Sequence, residues 1–243
     1  LGFQILIFII SSVLIKRSHP APLTIEKPAA ETKTVKHSWQ ELREGLQIFR
    51  DDKGLLHLLM IVFATGFLAF GVYLVGMPLI ARELYNGGVG LYATLQIVFS
   101  VGIVSANFGV MKRSKMFNRA GRLMVISFLM RGSLVGIVAT VPSMWVLILV
   151  VYVWGFFSGL SMTLGRTILH NQVPHLVRSR AASVYQLCLF GGAPLGAWVC
   201  GIAVENLGLS AAFMAVAASS FTVALLTALF SPLWHVRGDT SKA

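Results

Sequence analysis

Residues 144–170 read MWVLILVVYVWGFFSGLSMTLGRTILH, and 22 of them pass before the first charge, at Arg166. Roughly 20 mostly apolar residues in a helix cross a hydrocarbon core about 30 Å thick. In lipid the backbone has no water to bond, so such a run must be helical. Five more runs of this kind surround it, at about 55–81, 90–111, 123–140, 181–204 and 211–233. A stub at 1–15 is too short to span, ends at Lys16-Arg17, and has no initiating Met. It also lacks the basic start and small-residue cleavage site of a secretory signal. The pattern predicts an all-α polytopic membrane protein with a six-helix transmembrane bundle over 55–233. The stub reads as the end of a truncated preceding helix, 16–54 as a loop and 234–243 as a tail.

Composition agrees with that class. The chain is 56% hydrophobic and 12% charged, against about 25% charged in soluble domains. Its net charge of +11 suggests nucleic acid only until the charges are placed. Lys and Arg number 8 in 16–54, 5 in 112–122, 2 in 174–180 and 2 after 233, against 1 (Arg82) in the alternate loops. This is the positive-inside asymmetry. It predicts that 16–54, 112–122, 171–180 and the C-terminal tail are cytoplasmic, and that the turns near 82–89, 141–143 and 205–210 face out. The expected partner of the basic loops is anionic inner-leaflet lipid, not nucleic acid. Cys188 and Cys200 lie twelve residues apart on one predicted helix, about 18 Å, too far for a disulfide. No metal-ligand spacing and no cofactor motif is present, so neither a metal nor a cofactor is expected.

Between the stub and the first full run, 16–38 carries Pro20, Pro22 and Pro28 among mixed charges, which is linker composition. Ser38 is followed three residues later by Glu41, the capping-box pattern. Trp39, Leu42, Leu46 and Phe49 then recur at helical spacing, so an amphipathic helix is predicted over about 38–50, ending at Asp51-Asp52. Two placements are open for it: on the inner membrane face with Trp39 at headgroup depth, or packed under the bundle. Small residues mark close helix packing: Gly66, Gly71 and Gly76 in the first run, and the pairs Gly155/Gly159, Gly192/Gly196 and Ala197/Gly201. Pro194 falls mid-run, where it removes a backbone donor. Pro194, Gly192 and Gly196 are therefore candidates for helix bending during a working cycle, with ordinary membrane-helix packing as the plainer account.

Two local patterns carry a family resemblance. The basic loop reads Asn118-Arg119-Ala120-Gly121-Arg122, similar to the loop motif of the major facilitator superfamily, an acid, Arg, any residue, Gly, then Arg or Lys. Asn118 departs from it, standing where an acid is usual, which weakens any charge-based latch. The longer pattern runs Arg166-Thr167-Ile168, Pro174, Arg178-Ser179-Arg180, Tyr185, Gly192-Ala193-Pro194-Leu195-Gly196-Ala197 and Gly201. It resembles the branch of the superfamily that includes the bacterial enterobactin exporter. The resemblance covers essentially the whole chain. It implies the C-terminal half of a 6+6 fold, with the N-terminal six-helix half of the same protein as partner. It also implies an inner-membrane exporter driven by proton motive force. Asn118, Arg119, Gly121, Arg122 and Arg166 become candidates for gating at the cytoplasmic end.

Within the runs, Arg131 is the first candidate for the substrate path. It lies nine residues past Arg122, about 13 Å deep, near the mid-plane. A charge there costs at least about 2.5–3.5 kcal/mol. It must face a watery cavity, a partner or an anionic substrate group, or else snorkel to the inner surface. Arg166 is about 7 Å deep, where snorkelling is easy. Gln96 and Tyr73 either line a path or bond a neighbouring helix. All nine carboxylate residues fall in loops or at run ends, so a proton-coupling acid is expected outside this bundle. No nucleophile–base pair or phosphate loop is visible, so the chain does not read as an enzyme. The leading function is a secondary-active exporter of a small organic molecule (siderophore-like, drug or metabolite) by alternating access. The alternative is a non-transporting half that serves as a membrane interaction or structural protein.

Overall fold

A computed structural model of the chain describes residues 35–112 and 120–230. By its contacts the chain divides into a leading unit, Leu1–Ser38, and a compact unit that begins at Trp39. All that follows concerns the second unit, apart from the first residues of helix α1. No strand occurs among the described residues. Helix α1 is Val35–Asp51. Six helices long and apolar enough to cross a membrane follow: α2 Lys53–Leu84, α3 Gly88–Lys112, α4 Ala120–Ala139, α5 Met144–Gln172, then α6 and α7. Helix α6 is Arg178–Leu207, entered through a 3-10 turn at His175–Val177. Helix α7 is Leu209–Phe230. The chain is an all-α, six-helix membrane bundle. The stub at 1–15, the linker, Asn118, Arg119 and the tail from 231 onward lie outside the described residues.

Local chemistry sets several boundaries. Asp52 both stops α1 and starts α2: its Oδ1 accepts from the Gly54 and Leu55 amides at 2.6 and 3.1 Å, a side-chain N-cap. Helix α1 begins at Val35, so Ser38 sits inside the helix and not at its N-cap as the capping-box pattern predicted. Nothing in Val35-Lys36-His37 breaks a helix, and a cap worth about 1 kcal/mol does not force a boundary. The second half of α1 packs on the bundle. Phe49 is fully buried among Leu55, Leu58 and Val184, and a Cβ on Gly45 would lie 3.1 Å from the Arg180 carbonyl oxygen. Glu44 pairs with Arg180 at 2.5 Å, an exposed pair that adds little stability by itself. At the opposite end of the bundle the Tyr85 hydroxyl donates to the Pro142 carbonyl, tying the α2–α3 turn to the α4–α5 turn.

The tightest packing joins helices that are not neighbours in sequence. Helix α2 crosses α6, α3 crosses α5, and α4 crosses α7. Each crossing rests on glycine. A Cβ on Gly66 would meet the Leu189 carbonyl, and one on Gly196 would meet the Phe67 carbonyl. In the second pair Gly155 meets Phe99 and Gly102 meets Tyr152, again at backbone oxygens. In the third, a Cβ on Gly132 would lie 2.5 Å from the Ser220 Cβ. Lipid supplies no hydrophobic drive between helices, so association comes from such close approach. Gly192 and Gly196 therefore serve the α2–α6 contact. Gly201 faces open space, so the Ala197/Gly201 pair does not form the crossing that its spacing predicted. Helix α6 runs unbroken through Pro194, although the proline deprives the Phe190 carbonyl of its usual donor.

Helix α2 carries an irregularity with no counterpart in the sequence reading. Two π-helical stretches interrupt it, Thr65–Phe70 and Ile80–Leu84. Such insertions widen the helix locally and recur at functional sites. The first falls at the crossing with α6 and sets the position of Thr65.

Candidate functional site

Helices α2 to α6 leave a cavity of about 290 Å³ between them. Its floor is Arg131, in the middle of α4 and 3% exposed. The guanidinium does not reach for the bundle end. Its Nε donates back to the Ser127 carbonyl at 3.3 Å, and Nη2 donates to the Thr65 hydroxyl at 3.1 Å across the gap to α2. The charge also lies 5.4 Å from the Phe128 ring centroid, within cation–π range. No hydrogen bond from Nη1 forms among the described residues. No carboxylate among them pairs with it either. They lie in α1, at Asp52, or in the last turns of α2 and α6 (Glu83 and Glu205).

The cavity walls are aromatic and hydroxylated. Tyr73 and Phe99 approach to 4.5 Å between ring centroids. Phe70 meets Tyr73 edge-on at 6.4 Å and Phe190 at 6.2 Å. Trp154 backs Tyr73 and Phe99 at 6.2 and 6.0 Å. Buried Tyr185 and Ser161 also line the space, and the Tyr185 hydroxyl lies against Gly165 of α5. Phe190 and Ser100, exposed at its edge, leave the cavity open on one side.

The residues singled out in the sequence fall in different places. Arg131 and Tyr73 line the same cavity. Gln96 does not reach it. It is bonded instead: the Tyr73 hydroxyl donates to its Oε1, and its Nε2 donates to the Tyr92 hydroxyl at 2.7 Å. Gln96 heads a separate open groove along α3, walled by Ile97, Val101, Val104 and Phe108. Arg166 is exposed in the last third of α5, while Gly121 is buried and Arg122 half-buried at the start of α4. Gly192 and Gly196 are buried against α2, and Pro194 is exposed on α6. Thr65 and Ser161 are cavity residues that the sequence did not single out, and Tyr185 stood out only as part of the family pattern. Thr65 and Ser161 are polar groups deep in apolar runs, a weak signal that was available. That they share one cavity with Arg131 was not.

Six long apolar helices around a central cavity with a buried cation define an integral membrane protein. A family model described as transmembrane secretion effector, within the major facilitator superfamily, matches residues 23–241. The chain belongs to that family, and the family indicates transport rather than catalysis. No curated protein and no solved structure matches the chain.

Proposed function

We propose that this chain forms the C-terminal half of a secondary-active exporter of small organic molecules. It would work by alternating access against a second six-helix bundle of the same protein. The observation that carries the reading is Arg131. A charge buried mid-membrane costs at least about 2.5–3.5 kcal/mol on insertion scales, and an apolar residue would fill the same space more cheaply. Here the charge is braced by Thr65 and Ser127 and turned into an aromatic cavity. Such a site supplies grip and orientation but no nucleophile or relay, which suits binding and release. The charge bias of the loops supports a bacterial inner-membrane orientation with the basic loops and C-terminus in the cytoplasm. Gly121, Arg122 and Arg166 then stand at the cytoplasmic end, next to the loop of Arg119 and of Asn118, which departs from the motif's acid. A proton-coupling acid would lie outside this bundle.

The test is efflux from cells expressing the complete coding region, with a panel of small organic compounds. At least one compound should leave expressing cells faster than cells carrying Arg131→Met at equal membrane abundance. A panel spanning drugs, siderophore-like chelators and metabolites, none of it moved faster than in empty cells, would favour the non-transporting membrane role.

A further inference from the structure

We infer that the Arg131 cavity takes an aromatic organic anion, its acid group on Arg131, Tyr185 and Ser161 and its ring among Phe70, Tyr73 and Phe99. The inference rests on reading this cavity as the substrate site. Three buried polar side chains line it without a full set of partners. Arg131 is 3% exposed, Tyr185 2% and Ser161 3%. Arg131 leaves Nη1 unbonded, and among the described residues neither the Tyr185 nor the Ser161 hydroxyl makes a hydrogen bond. Their donors are left to whatever enters the cavity, and a ligand that accepts would answer them.

The sign of that ligand follows from the inventory. Guanidinium can only donate and stays ionised at any physiological pH. Phenol and serine hydroxyls donate to whatever anion they face. No carboxylate among the described residues neutralises Arg131, so toward this bundle a cationic ligand would be repelled and a neutral one would leave the charge uncompensated. A carboxylate answers all three groups, because its two oxygens accept from Arg131 and still have lone pairs for the hydroxyls. The shape follows from the walls. Tyr73 and Phe99 at 4.5 Å, with Phe70 edge-on to Tyr73, present ring faces and edges to a flat apolar body. A volume of about 290 Å³ lies at the bottom of the usual range for ligand pockets, so it holds one small ring system and its acid group.

The test is equilibrium binding, which reads no transport. The protein from its complete coding region is purified in detergent and titrated calorimetrically with three probes of one shape. These are naphthoate, the neutral naphthamide, and the cationic naphthylmethylammonium. Naphthoate should bind about tenfold tighter than naphthamide, the worth of one charge-assisted contact, and the ammonium should bind weakest. Arg131→Met should erase the preference while naphthamide binding persists. Should that variant fail to fold, Tyr185→Phe and Ser161→Ala decide instead. Each should cut the naphthoate preference by about threefold with naphthamide affinity unchanged. Equal binding of acid and amide to the unaltered protein overturns the inference, as does no binding of any probe. Neither result touches efflux measured in cells, so a failed anion preference and a failed transporter reading are told apart.

Discussion

Arg131 is held from two sides, and the two holds differ in kind. The Ser127 carbonyl belongs to its own helix, four residues back, whereas the Thr65 hydroxyl belongs to α2. Only the second reports on how the helices sit. Thr65→Val keeps the shape and removes the hydroxyl, so Arg131 keeps its charge but loses its fixed direction. Arg131→Lys keeps the charge and loses the planar fork that serves two acceptors at once. Both should leave folding intact, since neither creates a void of any size. Export of a compound moved by the unaltered protein should fall about threefold in Thr65→Val, the worth of one hydrogen bond. It should fall further, by about tenfold, in Arg131→Lys. Initial efflux rates normalised to membrane abundance give both numbers. Unchanged rates in Thr65→Val would mean that the guanidinium is positioned without it. Depth along a helix made Arg131 legible as a candidate, because a mid-membrane charge is expensive whatever surrounds it. Tyr185 and Ser161 were not legible, because a hydroxyl in a helix has many ordinary uses. Its meaning here comes from the crossing of α4, α5 and α6, which one helix's periodicity does not encode.

Helices were the most legible elements, and their pairings the least. Each of the six apolar runs lies in a helix among the described residues, since length and hydropathy answer directly to the bilayer. Pairing depends on which glycine meets which carbonyl, and several glycines in one run are equivalent in sequence. Helix α6 contains the test. Gly196 and Gly201 are five residues apart on one helix, and both belonged to small-residue pairs. A Cβ at 196 would strike the Phe67 backbone, whereas one at 201 would meet nothing within 4 Å. Gly196→Ala should therefore force α2 and α6 apart and destabilise the bundle by about 1–3 kcal/mol, the usual cost of overpacking. Gly201→Ala adds a methyl in free space and trades a poor helix former for the best one, a gain of up to about 1 kcal/mol. Thermal unfolding of the two purified variants in one detergent should move in opposite directions. A Tm for Gly196→Ala at or above that of the unaltered protein would remove the α2–α6 contact from the account. The π-helical stretch at Thr65–Phe70 lies in the same crossing, and its sequence TGFLAF carries no mark that separates it from regular helix.

Orientation belongs to the whole molecule, because no single helix determines which way the bundle faces. An odd number of crossings inverts the chain and an even number restores it, so, if all six apolar helices cross the membrane, the segment before α2 and the tail are expected on one side. The loop between α3 and α4 shares that side, as does the turn between α5 and α6. Those segments also hold most of the basic residues, 17 against 1 in the alternate turns. The proposed topology puts these segments together on one side. On the proposed topology that side is the cytoplasm, since Lys and Arg are retained there during insertion. Cysteines placed singly at Lys33, Lys115, Lys242, Glu83 and Asn206 test this, in a background with Cys188 and Cys200 replaced by alanine. In intact cells an impermeant maleimide should label positions 83 and 206 and leave 33, 115 and 242 untouched until the membrane is opened. Each position tests a different crossing. Labelling at 115 alone would mean that α2 and α3 do not form a hairpin across the membrane. Labelling at 33, 115 and 242 together, with 83 and 206 protected, would keep the bundle intact and reverse it, and Arg166 would then stand at the outer end of its helix.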